Sequence, residues 1–358
     1  MPTVERVDNI SFFDIDFEGD ILSDAQLCFL RQWSDRESPN MGQFCCSFRW
    51  VFDWADGEET CLRGMERMDL SQMFMNSELR ASLLVSCEYA VGVLCIWEAT
   101  PHGADPLDLK TKAWDSHYLA YEKFKSTLED TIAASGSGVL IRRSERRYPL
   151  TGVKISEPVA DIMDCREKRV KLGRWLTGNY EGQKEAALLA AIEGQNLSDR
   201  QYEMLFIRWT DALAVYDGGV GENYETALLR SALVYECAII LRRSLCSLAD
   251  RMDVTTASLR AYLPNPWIVN RRLESLGRIR TSFVTLPPVQ SIEAQHLLKA
   301  AYNSFGIPAL IDHSMEKARI LESRWQWTKT QFMVAVGLVT YIMDKVGIFE
   351  LLKGLFRS

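Results

Sequence analysis

The chain has 358 residues, of which 47% are hydrophobic, and a formal net charge of −7 at pH 7. This length can bury one large core or two modest ones. The acidic balance argues against a nucleic-acid partner, because phosphate binding needs a concentrated positive field. The nine cysteines form no Cys-x-x-Cys pair and no amino-terminal signal segment is visible, so we expect reduced thiols in a cytoplasmic protein.

Residues 1–133 predict an α+β domain. From Ser11 to Asp20 apolar and acidic side chains alternate, which is typical of a half-exposed strand with an acidic outer face. Residues 44–52 alternate in the same way. The apolar run from Leu83 to Trp97 predicts two buried strands with a bulge or turn at Gly92. Residues 112–132 place aromatic and aliphatic side chains at helical spacing and predict a helix.

The remainder of the chain predicts mostly helices. Residues 134–155, which begin with a Gly- and Ser-rich stretch, predict a linker that carries a basic segment, and residues 156–329 predict a helical domain. Ser198 and Gln201 fit a capping box, which predicts a helix that ends near Asp217. Further helices are predicted over 224–253, 267–281, 292–304 and 311–329. The predicted fold class is therefore mainly α with an N-terminal α+β domain, with long helices leading into a C-terminal apolar helix at 330–358.

No catalytic motif is evident in the sequence. The acids of Asp14-Ile15-Asp16 resemble both the start of a calcium loop and a phosphatase-type Asp-x-Asp pair. Ala25 stands where the calcium loop needs a bidentate carboxylate, and Phe17 follows where the phosphatase motif has a small hydroxyl residue. The four histidines lack zinc-ligand spacing. We therefore predict no enzyme activity, no catalytic residue, no metal site and no cofactor.

Basic residues concentrate in one region of this acidic chain. They predict an anion-binding surface for a nucleotide, RNA or anionic lipid, because Arg forks match phosphate groups. The alternative is a solvated surface in which these residues pair with nearby acids. The candidate residues are Arg142, Arg143, Arg146, Arg147, Lys168 and Arg169.

The most informative segment is the uncharged run from Thr330 to Met343. Aromatic and basic residues flank this run, which is the pattern of a segment that meets a membrane boundary. As a helix it reaches about 21 Å, short of the roughly 30 Å hydrocarbon core, and continuing the helix would place Asp344 and Lys345 at depth. The predicted membrane-contact residues are Trp325, Trp327, Phe332, Val334, Leu338, Tyr341, Ile342, Phe349, Leu352 and Phe356. A buried core helix and an oligomer seam are the alternatives.

The layout of residues 224–343, with long helices that lead into a C-terminal apolar segment, resembles the CorA-type magnesium channels. Tyr341-Ile342-Met343-Asp344 stands where that family has its Gly-Met-Asn loop, and the second span of the family is absent. The resemblance implies a homo-oligomer whose helices gather at a membrane. It supplies no selectivity residue.

Together these patterns predict a homo-oligomer on the cytoplasmic face of a membrane. Its activity would be ion conduction or membrane perturbation, and a regulatory ligand or a protein partner would act on its body. Three alternatives stay open. One is a cytoplasmic interaction or scaffold protein whose C-terminal segment is a core helix, and another is a nucleotide- or RNA-binding protein that uses the basic region 142–175. The third is an enzyme whose motif the sequence does not reveal.

Overall fold

The computed structural model describes most of the chain, with gaps. The described residues are 3–17, 22, 24–31, 65–70, 79–86, 89–101, 105–135, 141–143, 146–178, 184–193, 196–198, 200–208, 210–218, 224–257, 270, 273–277 and 292–345. The predicted strand at 44–52 and the residues Phe349, Leu352 and Phe356 lie outside this part. Most of the predicted helix at 267–281 also lies outside it.

Strands and helices are mixed between Val4 and Tyr216, and every described element after Tyr216 is a helix. The strands are β1 Val4–Phe17, β2 Met65–Asp69, β3 Leu79–Ser86, β4 Val91–Pro101, β5 Ile141–Arg143, β6 Arg147–Ile155, β7 Glu203–Arg208 and β8 Asp211–Tyr216. The helices are α1 Asp24–Arg31, α2 Pro106–Ser135, α3 Val159–Met163, α4 Arg166–Thr177, α5 Glu185–Ala190, α6 Tyr224–Ala257, α7 Ile292–Ser304 and α8 Ile307–Lys345.

A single mixed sheet forms the centre of the described N-terminal part. Its strand order is β2-β3-β4-β1-β6-β8-β7, and β5 pairs with the end of β1 beyond β6. All neighbouring pairs are antiparallel except β6 and β8, which are parallel. The prediction of a mainly helical fold is therefore wrong, because strands from three predicted segments join one sheet.

The sheet also crosses the predicted domain boundaries. β6 lies inside the predicted linker 134–155 and pairs along β1, while β7 and β8 come from the predicted helical domain. One buried hydrophobic cluster is formed by residues between Phe13 and Leu128 alone, but the sheet continues beyond them into β6, β8 and β7. The chain divides instead into one compact unit of Met1–Ser247 with Thr281–Leu310 and a second of Leu248–Arg280 with Ile311–Ser358.

β1 lies in the middle of the sheet and is covered on both faces. On one face Phe13 stacks on Tyr121 of α2 with ring centroids 4.8 Å apart, and on the other Phe12 meets Tyr235 of α6 edge to face at 5.7 Å. Side chains alternate between the two faces of a strand, so the acids of β1 point to the α6 side. The predicted half-exposed acidic face is therefore wrong: Asp14 and Asp16 are both buried.

Arginines of α6 compensate these buried acids. Arg243 donates to Asp16 Oδ2 over 2.7 Å, and the neighbouring Arg242 donates to the hydroxyl of Tyr148 over 2.8 Å. Burial raises the pKa of Asp14, although the charges of Arg243 and Arg242 oppose that rise. Buried carboxylates are tolerated when they are paired in this way. Asp14 and Asp16 thus belong to an internal charge cluster, unlike the ligands of a calcium loop.

The predicted helix from Ser198 to Asp217 is wrong, because this stretch forms the β7–β8 hairpin. Met204 of β7 and Val215 of β8 are paired across it and lie in one buried cluster against α4. Ser198 accepts the amide of Arg200 at 3.2 Å, which closes a turn and does not cap a helix. A short apolar run satisfies both helical and strand periods, and here packing in the sheet decided between them.

Other local predictions are confirmed. The run from Leu83 to Trp97 forms parts of β3 and β4, although the chain turns at Ala90, which has a φ of 48°, and Gly92 lies within β4. The predicted helices at 112–132, 224–253 and 292–304 correspond to α2, α6 and α7. Gly306, with a φ of 67°, separates α7 from α8, as expected of a glycine that ends a helix.

Candidate functional site

The section of α8 from Thr330 to Met343, called here the apolar section, is exposed to solvent. Phe332 is 63% exposed, Val334 66% and Leu338 60%. Upstream in the same helix Ser314, Ala318 and Leu321 are buried, so the first half of α8 packs by one face and the second half does not. The residues of the apolar section are therefore available to a partner outside the monomer.

The exposed apolar residues surround the helix instead of forming a stripe. Successive residues are rotated by about 100° in an α-helix, so their positions leave no side of the apolar section without a large hydrophobic residue. They are Phe332, Met333, Val334, Val336, Leu338, Val339, Tyr341 and Ile342. A helix that packs on one neighbour needs only a single apolar stripe, whereas one that is apolar all round is fully surrounded or lies in lipid.

The threonine hydroxyls of this helix are bonded to its own backbone. Thr340 donates to the Val336 carbonyl over 2.8 Å, and Thr330 and Thr328 each donate over 2.9 Å to the carbonyl four residues earlier. A polar group that is satisfied within its helix does not need water. These bonds lower the cost of moving the helix into an apolar surrounding.

Aromatic and basic residues stand at both ends of the apolar section. Trp327 is exposed and Trp325 is half-buried just before it, and Lys345 follows it with its Nζ 5.9 Å from the ring centre of Tyr341. Asp344 and Lys345 are the last residues of α8. Tryptophan and lysine side chains prefer the boundary between hydrocarbon and water. Among the described residues, no helix combines the length and the apolarity needed to cross a membrane.

The predicted anion-binding residues do not share one set of contacts. Arg142 and Arg143 lie in β5, Arg146 is exposed, and Arg147 points under α2, where its Nε donates to Ser11 over 2.8 Å. Lys168 pairs with Glu157, and Arg169 pairs with Glu193 at 3.0 Å. Three of the six residues thus have separate partners inside the protein.

A chain of polar side chains lies between β1 and α2. Arg147 donates to Ser11 Oγ, and Ser11 Oγ lies 2.6 Å from Nδ1 of His117. Glu98 Oε2 is 3.4 Å from Nε2 of the same ring and accepts the hydroxyl of Ser116 at 3.0 Å. Since Ser11 already accepts from Arg147, its hydroxyl proton is free to be donated to Nδ1. That bond assigns the ring proton to Nε2, facing Glu98.

This chain contains a serine, a histidine and a carboxylate in series, which are the components of a nucleophilic triad. Ser11 and His117 are both fully buried, and the Ser11 oxygen is held by Arg147. The Ser11 hydroxyl is therefore bound within the protein and closed to a substrate. The arrangement acts as an internal connection between the sheet and α2.

Burial lowers the pKa of His117, and the charge of Arg147 lowers it further against the opposing effect of Glu98. Burial also lowers the pKa of Arg147 to about 10. The folded protein thus favours a neutral His117.

We expect the free energy of unfolding to fall as the pH drops below the ordinary histidine pKa of 6.5. Between the lowered pKa of folded His117 and that value, the unfolded chain binds a proton that the folded chain does not. His117→Gln should remove this component, measured by denaturant unfolding at pH 8 and pH 5.5. The same replacement at the exposed His313 is the control for the loss of a histidine side chain as such. Equal pH dependence in wild type and His117→Gln would contradict the assignment.

Sequence reasoning missed most of this network. His117 lies on α2, whereas its contacts Ser11 and Glu98 come from β1 and β4. Lys110, which donates to the Leu176 carbonyl over 3.0 Å and pairs with Asp211, was also missed. In the sequence, Asp115, Ser116 and His117 form a short polar run on an amphipathic helix, which does not identify a partner.

Comparison of the chain with protein-family models, with curated proteins and with solved structures gives no significant match. The resemblance to CorA-type channels therefore stays an expectation from the layout of the sequence.

Proposed function

We propose that the protein attaches to a membrane surface through the apolar section of α8. The observation that carries this proposal is the ring of exposed apolar side chains around an uncharged helical stretch from Thr330 to Met343. Lipid covers every side of an inserted helix, whereas a protein neighbour covers one stripe. The internally bonded hydroxyl of Thr340 and the flanking Trp327 and Lys345 support the same partner.

The length of the apolar section fits partial insertion. Its reach of about 21 Å exceeds half of the roughly 30 Å hydrocarbon core. A helix close to the membrane normal would pass the midplane of the bilayer. A helix close to the membrane plane would lie along the interface, with Trp327 and Lys345 at headgroup level. Full burial of a large apolar side chain contributes about 1.5–3 kcal/mol. Several such side chains are enough for attachment.

The exposure of Val334, Leu338 and Ile342 favours attachment over the soluble alternative with a C-terminal core helix, because a core helix would hide these side chains. Homo-oligomerisation and ion conduction or membrane perturbation stay predictions from the sequence. Light scattering of the detergent-solubilised chain would test the first, and ion efflux from loaded vesicles would test the second.

Flotation of the full chain with lipid vesicles tests the attachment itself. We expect the protein to rise with vesicles of phosphatidylcholine and to rise more completely when phosphatidylserine is added, because Lys329 and Lys345 flank the apolar section. The extra binding that phosphatidylserine provides should weaken in high salt, while the binding that depends on apolar contact should remain. A chain that stays at the bottom of the gradient with both lipid mixtures would refute the proposal.

A further inference from the structure

A cleft lies between α4 and the start of α2, within the sheet-containing unit and independent of α8. Its volume is about 280 Å³, close to the lower end for small-molecule sites. The lining residues that matter here are Asp105, Leu107, Lys168, Lys171, Arg174 and Trp175. We propose that this cleft binds a small organic anion, with a phosphate or carboxylate group held by Lys171 and Arg174.

The wall of the cleft is fixed by Trp175. The indole is 1% exposed, and its Nε1 donates to Asp105 Oδ1 over 3.1 Å. Burial alone would raise the pKa of Asp105, but the Leu107 amide, the charge of Lys171 and the indole together lower it. Asp105 is therefore an ionised anchor for the wall. The Leu107 amide, the Trp175 indole and Lys171 already engage the Asp105 carboxylate, so it competes only weakly with a bound anion for Arg174.

The cations of the cleft come from one face of α4. Lys168, Lys171 and Arg174 are spaced three residues apart, which places them along the same side of a helix. Lys168 is neutralised by Glu157. Lys171 Nζ lies 3.4 Å from Asp105 and 5.4 Å from the ring centre of Trp175, so it is held over the wall of the cleft.

Arg174 is the second cation that the ligand would meet, beside Lys171. Within the described part of the chain its guanidinium makes no hydrogen bond or ion pair, and it lines the cleft next to Lys171. A guanidinium presents a fork that fits two oxygens of a phosphate or carboxylate. Glu167, also in the lining, would disfavour a bulky polyanion. Leu107 and Val170 supply an apolar surface for the rest of the ligand.

The test uses the full chain and four probes of graded chemistry. Phenyl phosphate carries both the anionic group and an apolar part, benzoate carries a carboxylate, inorganic phosphate lacks the apolar part, and phenol lacks the charge. Isothermal titration calorimetry should detect phenyl phosphate or benzoate binding more tightly than inorganic phosphate or phenol. If phenyl phosphate binds more tightly than benzoate, the cleft prefers a phosphate group, and the reverse order indicates a carboxylate.

Arg174→Ala should weaken the binding of the best probe about tenfold, as expected for the loss of one charge-assisted hydrogen bond. Lys171→Met, which keeps most of the aliphatic stem, should weaken it to a similar extent. Arg166→Ala is the matched control, since Arg166 lies on the same helix, pairs with Glu185 and is absent from the cleft lining. Absence of binding by all four probes, or equal affinity in the wild type and Arg174→Ala, would overturn the proposal.

Discussion

Replacing Val334 and Leu338 together by Asp is expected to abolish the flotation of the protein with lipid vesicles. Each Asp placed at depth in hydrocarbon costs about 2.5–3.5 kcal/mol, which corresponds to roughly a hundredfold loss of affinity for each site. Both side chains are exposed in the monomer, so the folded structure should tolerate the change. Flotation and thermal unfolding of the same preparation measure the two effects separately.

Ile320→Asp is the matched control for this pair. Ile320 is an exposed apolar residue of the same helix, but it precedes the apolar section. We expect it to change vesicle binding by less than about twofold, because a surface substitution outside the contact removes no buried area. If Val334→Asp with Leu338→Asp instead lowered the unfolding temperature and left flotation intact, the apolar section would be contacting protein.

The distinction between lipid and a second copy of the chain follows from the same variant. If the apolar section formed an oligomer seam, the two Asp residues would change the mass measured by light scattering in the absence of lipid. Attachment to lipid alone predicts an unchanged mass in solution and lost flotation. A changed mass with intact flotation would assign the apolar section to oligomerisation.

Features encoded locally were predictable from the sequence. The uncharged run in α8, the helix that begins near Tyr224 and the buried strands around Gly92 each depend on residues that are close in the chain. Periodicity and composition report such features directly. The exposure of Val334 could not be predicted in this way, because a short apolar run is compatible with a core helix and with a membrane-contact helix.

Features that depend on distant partners were not predictable. The acids of β1 alternate as in a half-exposed strand, and distant arginines such as Arg243, 227 residues from Asp16, compensate their burial. The residues of the β7–β8 hairpin have a hydrophobic spacing that also fits a helix. They form strands because β8 pairs in parallel with β6. The cleft likewise joins Asp105 to Trp175 across 70 residues. Tertiary context decided each of these cases, and a single sequence does not report it.

Asp8→Ala is expected to lower the free energy of unfolding of the sheet-containing unit by about 3 kcal/mol or more. Asp8 is fully buried. Its carboxylate accepts hydrogen bonds from Nε and Nη2 of Arg6, each at 2.9 Å, and from the indole N–H of Trp97 at 2.8 Å. Burial would lower the pKa of Arg6, but Asp8 and Glu225 more than reverse this effect. Removing the carboxylate leaves the buried indole N–H without that acceptor and the guanidinium with Glu225 as its remaining acidic partner.

Glu5→Ala separates this effect from the general loss of an acid in β1. Glu5 pairs with Lys154 at 2.8 Å, but both side chains are more than a third exposed, and such pairs contribute about 0–1 kcal/mol. Asp8→Asn should fall between the two variants, because the amide oxygen can still accept the Trp97 indole while the charge opposite Arg6 is lost. Denaturant unfolding followed by circular dichroism measures all three. Equal losses for Asp8→Ala and Glu5→Ala would show that the buried carboxylate contributes no more than a surface ion pair, and that the sheet is held by its apolar faces alone.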